Sequence, residues 1–416
     1  MKNRENSYAL SPALHSVPSP PTGRKKAPVS RKKQESKTTE MDIQKHLLVA
    51  GVLTLAMPAY VTPVEAQKIV VGSCTLKDGG IYTGELSGSK PNGKGRVQYE
   101  NGDTYEGEFS KGLRHGEGTF TAADGSRYEG NWTKNERNGR GTFYAVNNNR
   151  YVGLWYRNQK EGTGKMYYYN GDVYDGTWKE DKRSGRGTYT YKSGAFYKGD
   201  WLNDQKSGKG YFDWNDGSKY EGSWANNQRN GRGTYFYADG DYYSGEWKDD
   251  MQEGRGIYKF RNGDTYEGQY VAGERTGEGT FRFANGDQYV GNFLNGEQSG
   301  QGTFQWKGVA TYTGQWQHNM MHGHGVYKWK NGDEYNGQWK NNRMDGEGTL
   351  RFAAGGRFKG EFREGRRNGK SVEIKADGSR IDCTYKDGQK HGKFVEYDAN
   401  GNVTKKGEYS NGRLVM

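Results

Sequence analysis

From Tyr82 onward, aromatic and polar positions alternate in short bursts, and the bursts recur. Tyrosine stands at 82, 105, 128, 151, 174, 197, 220, 243, 266, 289, 312 and 335, with Phe358 next, so each step is 23 residues without insertion or deletion. Thirteen such units run from Tyr82 to Arg380. A constant period of this size marks a repeat array. With slots numbered from each tyrosine, slots 1 to 5 read aromatic-x-Gly-x-aromatic, as in Tyr174-Gly176-Trp178 and Tyr220-Gly222-Trp224. Alternation places slots 1, 3 and 5 on one face of a strand, and the glycine leaves a gap that a neighbouring ring can cover. Slots 12 and 14 are again glycine, as at Gly231 and Gly233, and slots 16 and 18 are mostly aromatic or apolar, as at Phe281 and Phe283. This predicts a second strand of the same parity. Asn101-Gly102-Asp103, Asp239-Gly240 and Asn262-Gly263-Asp264 fall between units. Such pairs accept the positive φ of tight hairpin turns. Each unit is therefore expected to be two short antiparallel strands, with a turn handing over to the next.

The pattern Tyr-x-Gly-x-Trp-x-x-Gly-x-x-x-Gly-x-Gly resembles the MORN repeat (membrane occupation and recognition nexus) over about three quarters of the chain. The resemblance implies an all-β fold, an elongated, twisted, single-layer antiparallel sheet of tandem hairpins. It also implies a non-enzymatic scaffold that binds proteins or membranes. In some plant lipid kinases such repeats precede a phosphatidylinositol phosphate kinase domain. Here 381–416 is too short for one, and kinase accessory repeats are disfavoured.

Composition agrees with a thin aromatic core. Hydrophobic residues make up 31% and aromatics 14%, with 66 glycines, too few aliphatics for one large globular core. All eight prolines lie at or before Pro91, as continuous strand ladders require.

The N-terminus follows other rules. Residues 1–40 are Ser/Pro-rich and basic without periodicity, which reads as a disordered leader or an upstream extension. Residues 41–66 combine Lys45, an apolar run at 47–61 and the small-residue pattern Val64-x-Ala66. This reads as a signal peptide cut between Ala66 and Gln67, or as a signal anchor retained through 47–61. Either way, export to the periplasm or cell envelope is expected. Val71-Gly72-Ser73-Cys74 resembles a lipoprotein box, but Gly72 to Ile81 aligns with Gly95 to Thr104, the second half of a repeat. Residues 67–81 are thus an N-terminal half-repeat with Cys74 in slot 16. Residues 381–416 read as a degenerate C-terminal cap, as end units of arrays often are. Cys383, the only other cysteine, falls where other repeats carry glycine.

The chemistry-bearing motifs are near misses. Gly365 to Ser371 lacks one residue of a P-loop, and Gly88 to Gly95 has glycine where Ser or Thr should hold magnesium. His318, His322 and His324 form the only histidine cluster, yet His115 and His391 occupy the slot of His322, so histidine there is a habit of the repeat. No catalytic set, cofactor or metal centre is expected.

Charge carries the remaining signal. The net charge is +12, and +7 of it falls after residue 66. Slot 10 holds Arg114, Arg137, Lys160, Arg183, Lys206, Arg229 and Arg275, and slot 13 holds Arg140, Arg186, Lys209, Arg232 and Arg255. Acids concentrate in slots 2 and 4. Stacked in register, the basic slots are expected to form a ladder along one edge, outside the aromatic slots, with a pitch of ~9.5 Å. Such a ladder suits a protein partner, an anionic lipid or an acidic polymer, or it guards a sheet edge as solvated charge. Nucleic acid is not expected, and a homo-oligomer is left open.

Overall fold

The structure, a computed structural model, describes residues 69–415. The leader, the apolar run 47–61 and the Ala66–Gln67 position lie outside the described residues. The described chain falls into two units, 69–204 and 205–415. Among the described residues every regular element is a β-strand. The first unit opens with β1 (Ile69–Thr75), β2 (Ile81–Ser87) and β3 (Lys90–Gln98), each antiparallel to the next. The half-repeat expected at 67–81 is thus β1 and its turn, with Cys74 opposite Tyr82.

Each later repeat supplies a short strand and a longer one, such as Lys219–Ala225 and Gln228–Phe236 in the second unit. Within that repeat Tyr220 pairs with Tyr235 and Gly222 with Gly233, and Gly233 then pairs with Gly245 of the following repeat. The same register recurs in the first unit, where Gly107 faces Gly118 and Gly118 faces Gly130. The glycines of slots 3 and 14 therefore form a row across the strands of each unit.

The slot-1 tyrosines fill that row and form the core. All twelve, from Tyr82 to Tyr335, are fully buried. The Tyr220 ring lies where a Cβ on Gly233 would stand, 2.2 Å from its hydroxyl oxygen, and the hydroxyl donates to the Ser223 carbonyl at 3.1 Å. Burial holds the Tyr220 phenol protonated, pushed up to about 12, which keeps it a donor. Most of these tyrosines sit edge-on between two slot-5 rings. Tyr220 is 5.2 Å from Trp224 and 5.5 Å from Trp247, both T-shaped. Such pairs contribute about 1 kcal/mol beyond the area they bury. The slot-5 indole also ties repeats together, since Trp247 donates its N–H to the Gly233 carbonyl of the preceding repeat at 3.1 Å.

The turns between repeats behave as their residues suggest. Gly102 takes φ +92°, Asn101 accepts from the Asp103 amide at 3.0 Å, and Asp103 accepts from Ala123 of the next turn at 2.8 Å. The turn inside the repeat, at slots 7 and 8, uses glycine in some units, as at Gly112 (φ 85°), but in others departs from the residue pattern. There it places two consecutive non-glycine residues in the left-handed region, as at Asn226 (φ 50°) and Asn227 (φ 70°). This is the backbone of a two-residue hairpin of primed type, which matches strand twist. The slot-8 side chain offsets the strain by accepting the slot-10 amide of the preceding repeat, as Asp250 does from Arg229 at 2.9 Å.

The row changes composition near the C-terminus. Ile381 replaces the tyrosine, while buried Ser371 and Cys383 replace the facing glycines, and Ser371 donates to the Cys383 carbonyl at 2.9 Å. A ring without a hydroxyl, Phe358, covers Ser371's side of the row.

Candidate interaction surface

The two basic slots lie on opposite faces, because each pairs with a residue of known facing. Slot 10 pairs with the slot-5 ring of its own repeat, as Arg229 does with Trp224, and so shares the aromatic face. Slot 13 pairs with slot 4 of the next repeat, as Arg232 does with Glu246, on the other face. Between them slot 12 forms a bulge. Gly116 takes φ +61° there, a conformation suited to glycine. Across from the bulge the slot-4 side chain accepts the slot-13 amide, as Asn131 does from Arg140 at 3.1 Å and Gln315 from His324 at 3.0 Å. Acceptors in slot 4 thus have a backbone to satisfy.

The expected edge ladder needs correcting for slot 10. Its cations lie over the slot-5 ring of the next repeat: Arg114 over Trp132 at 4.5 Å, Arg137 over Trp155 at 4.3 Å, Lys160 over Trp178 at 4.8 Å and Arg183 over Trp201 at 4.4 Å. In the second unit Lys206 lies over Trp224 and Arg229 over Trp247, each at 4.3 Å, while Arg275 is buried near Tyr266 at 5.4 Å. Arg183 and Arg229 also donate to the slot-8 carbonyls of Asp204 and Asp250 at 3.0 and 2.8 Å. These side chains join adjacent repeats. They hold their charge against a ring face, where cation–π attraction offsets part of the lost hydration.

Slot 13 is where charge meets solvent. The Arg186 and Arg232 side chains are 93% and 85% exposed, and their acidic neighbours Asp200 and Glu246 stand at 3.6 and 3.8 Å. Exposed ion pairs of that length contribute little. Arg140, Lys209 and Arg255 are exposed on the same face of their units, opposite Leu154, Ser223 and Gln269.

Lys206 carries a testable consequence of this burial. Desolvation lowers its ammonium to about 8, against a raising influence from Asp250. The unfolded chain keeps that lysine protonated toward 10.5. Unfolding therefore takes up a proton between about 8 and 10.5, and stability should rise with pH across that window. Denaturation at pH 7.5, 8.5 and 9.5 should show the wild type gaining on Lys206→Met, a residue already present in slot 10 at Met321 and Met344. A constant gap would mean an ordinary lysine.

A band of rings runs beside the core in the second unit. Slots 16 and 18 alternate as Phe212, Trp214, Tyr235, Tyr237, Tyr258, Phe260, Phe281, Phe283, Phe304, Trp306, Tyr327 and Trp329. Successive centroids are 4.3 to 5.8 Å apart. The slot-18 rings are half-buried and keep an accessible rim.

Comparison with known proteins agrees with this geometry. The MORN repeat family matches residues 82–104, 105–127, 128–150, 151–173, 174–196, 197–219, 220–242, 243–265, 266–288, 289–308, 312–334, 335–357, 358–380 and 384–403. The chain belongs to the MORN-repeat family. The last match lies within the stretch expected to cap the MORN array. No curated protein matches the chain. Similar solved structures include the SAS-4 (dCPAP) TCP domain of Drosophila melanogaster in complex with a proline rich motif of Ana2 (dSTIL). It is 13% identical over 42% of this chain and 90% of that one, with a TM-score of 0.23. The wild-type TCP10 domain of Danio rerio CPAP is 10% identical over 64% of this chain and 99% of that one, with a TM-score of 0.16. Superpositions at those scores carry no argument about this MORN protein.

Proposed function

We propose that the chain is a non-catalytic MORN scaffold for protein–protein interaction in the cell envelope. The half-exposed ring band of residues 212–329 supports this reading best. Aromatic side chains held by their neighbours bind with little loss of rotamer freedom, and such residues are enriched at interfaces. Trp306→Ala with Trp329→Ala tests the band with a residue that slot 18 already carries at Ala122 and Ala145. Capture of partners from envelope extract should fall sharply while circular dichroism stays unchanged. Equal capture would move the interaction off the band. Export through residues 41–66 belongs to the same reading, and mature protein should begin at Gln67. A mature N-terminus at Met1 would contradict cleavage.

A second reading, peripheral binding to anionic lipid, is favoured by the exposed slot-13 cations. Each contributes about 1 kcal/mol at an anionic surface, and the attraction should fade with salt. Flotation with anionic liposomes at two ionic strengths distinguishes the readings, because ring-band capture should depend little on salt.

A further inference from the structure

The first strand of the described array leaves one edge open. β1 pairs with β2 on one side, and among the described residues no strand pairs with its other side. Its sequence, Ile-Val-Val-Gly-Ser-Cys-Thr, carries no charge. Ile69, Val70 and Val71 are 58%, 53% and 75% exposed. Edge strands are commonly guarded by lysine, proline or a bulge, because a bare row of amides and carbonyls invites another strand. The strand near the other end of the chain has such guards: exposed Lys405 and Lys406 within Val403–Ser410 put charge on both of its faces. β1 has none.

The edge is not shaped for another hairpin of its own kind. A repeat's long strand meets its short partner through the slot-12 bulge, which needs glycine at positive φ, as at Gly116. In β1 slot 12 is Val70, which is not in the left-handed region. β1 is therefore a straight strand suited to a straight partner. One such strand is available by symmetry. We propose that β1 pairs antiparallel with β1 of a second copy of this chain, about a two-fold axis at Gly72.

That register uses all seven residues. Ile69 faces the second copy's Thr75, Val70 its Cys74 and Val71 its Ser73, so no like charges meet. Val70, Gly72 and Cys74 share the face of the core, because they pair with Leu86, Gly84 and Tyr82. Leu86 already reaches over Gly72, its Cδ1 only 2.9 Å from where a Cβ would stand. The pairing would set apolar Val70 beside Cys74 on that face and bury β-branched side chains that β1 now exposes. It is an isologous contact, which closes as a dimer.

The test uses the full chain. Sedimentation over a concentration series should show a dimer for the wild type and its loss for Val71→Lys, which adds a charge to the face away from the core. Val415→Lys, at an exposed residue of the far end, should leave the dimer intact. Register is read with Val70→Cys, which under mild oxidation should give a disulfide between the introduced thiol of one copy and Cys74 of the other, lost on adding Cys74→Ser. A wild type that stays monomeric, as it would if its own upstream segment covered β1, overturns the proposal. So does a dimer indifferent to Val71→Lys. A disulfide between the two introduced thiols, in place of the expected one, overturns the register.

Discussion

Gly233→Ala should destabilise its unit by about 3 kcal/mol or more, although it adds a single methyl group. That methyl would stand 2.2 Å from the Tyr220 hydroxyl oxygen and 2.5 Å from its Cζ. The ring cannot yield, because Trp224 and Trp247 hold its two sides and its hydroxyl is bonded to the Ser223 carbonyl. Expelling it leaves a cavity of the kind that makes large-to-small core changes cost about 3–5 kcal/mol. Hydrogen exchange at the amides of 220–247 should register the loss locally, since repeat arrays unfold by neighbouring units. The chain contains its own compensation: Ser371 takes the same slot where Phe358 replaces tyrosine. Tyr220→Phe should therefore recover part of the loss, and the pair should be strongly non-additive. A Gly233→Ala protein with unchanged exchange and melting would show that the row is not packed as described.

The two basic slots should separate under charge removal. Changing Arg137, Lys160, Arg183, Lys206 and Arg229 together to Gln should cost roughly 1 kcal/mol or more at each site. Each loses a cation–π contact, and the arginines that bond slot-8 carbonyls lose that as well. Changing Arg140, Arg186, Lys209, Arg232 and Arg255 to Gln should leave stability within about 0.5 kcal/mol per site, as for ordinary surface positions. Chemical denaturation of the two variants checks this. If lipid is the partner, liposome binding should fall with the second variant and not with the fold. Equal destabilisation of both would place slot 13 in the packing too.

Parity along the chain places slot 10 on the ring face but leaves its burial open. Slot 10 has the parity of slots 12, 14, 16 and 18, the face assigned to rings and glycines, whereas slot 13 has the opposite parity. A cation belongs to an aromatic face when a tryptophan lies beneath it, as Trp247 does beneath Arg229. The slot-7 and slot-8 turns were hidden for another reason. Lys134-Asn135 and Asp249-Asp250 have no glycine to advertise positive φ, yet adopt it. Their support is a hydrogen bond from a residue 21 positions earlier, such as the Arg114 amide donating to Asn135.

The repeat period, the hairpin unit, the buried tyrosines and the glycine gaps were all readable from the chain, because strand alternation and the absence of a Cβ are local properties. Which cation meets solvent was not. That depends on Trp247 of one repeat lying under Arg229 of the one before. Only the pairing of successive hairpins brings those groups to 4.3 Å, and it turns a charge that looked like a surface feature into part of the packing.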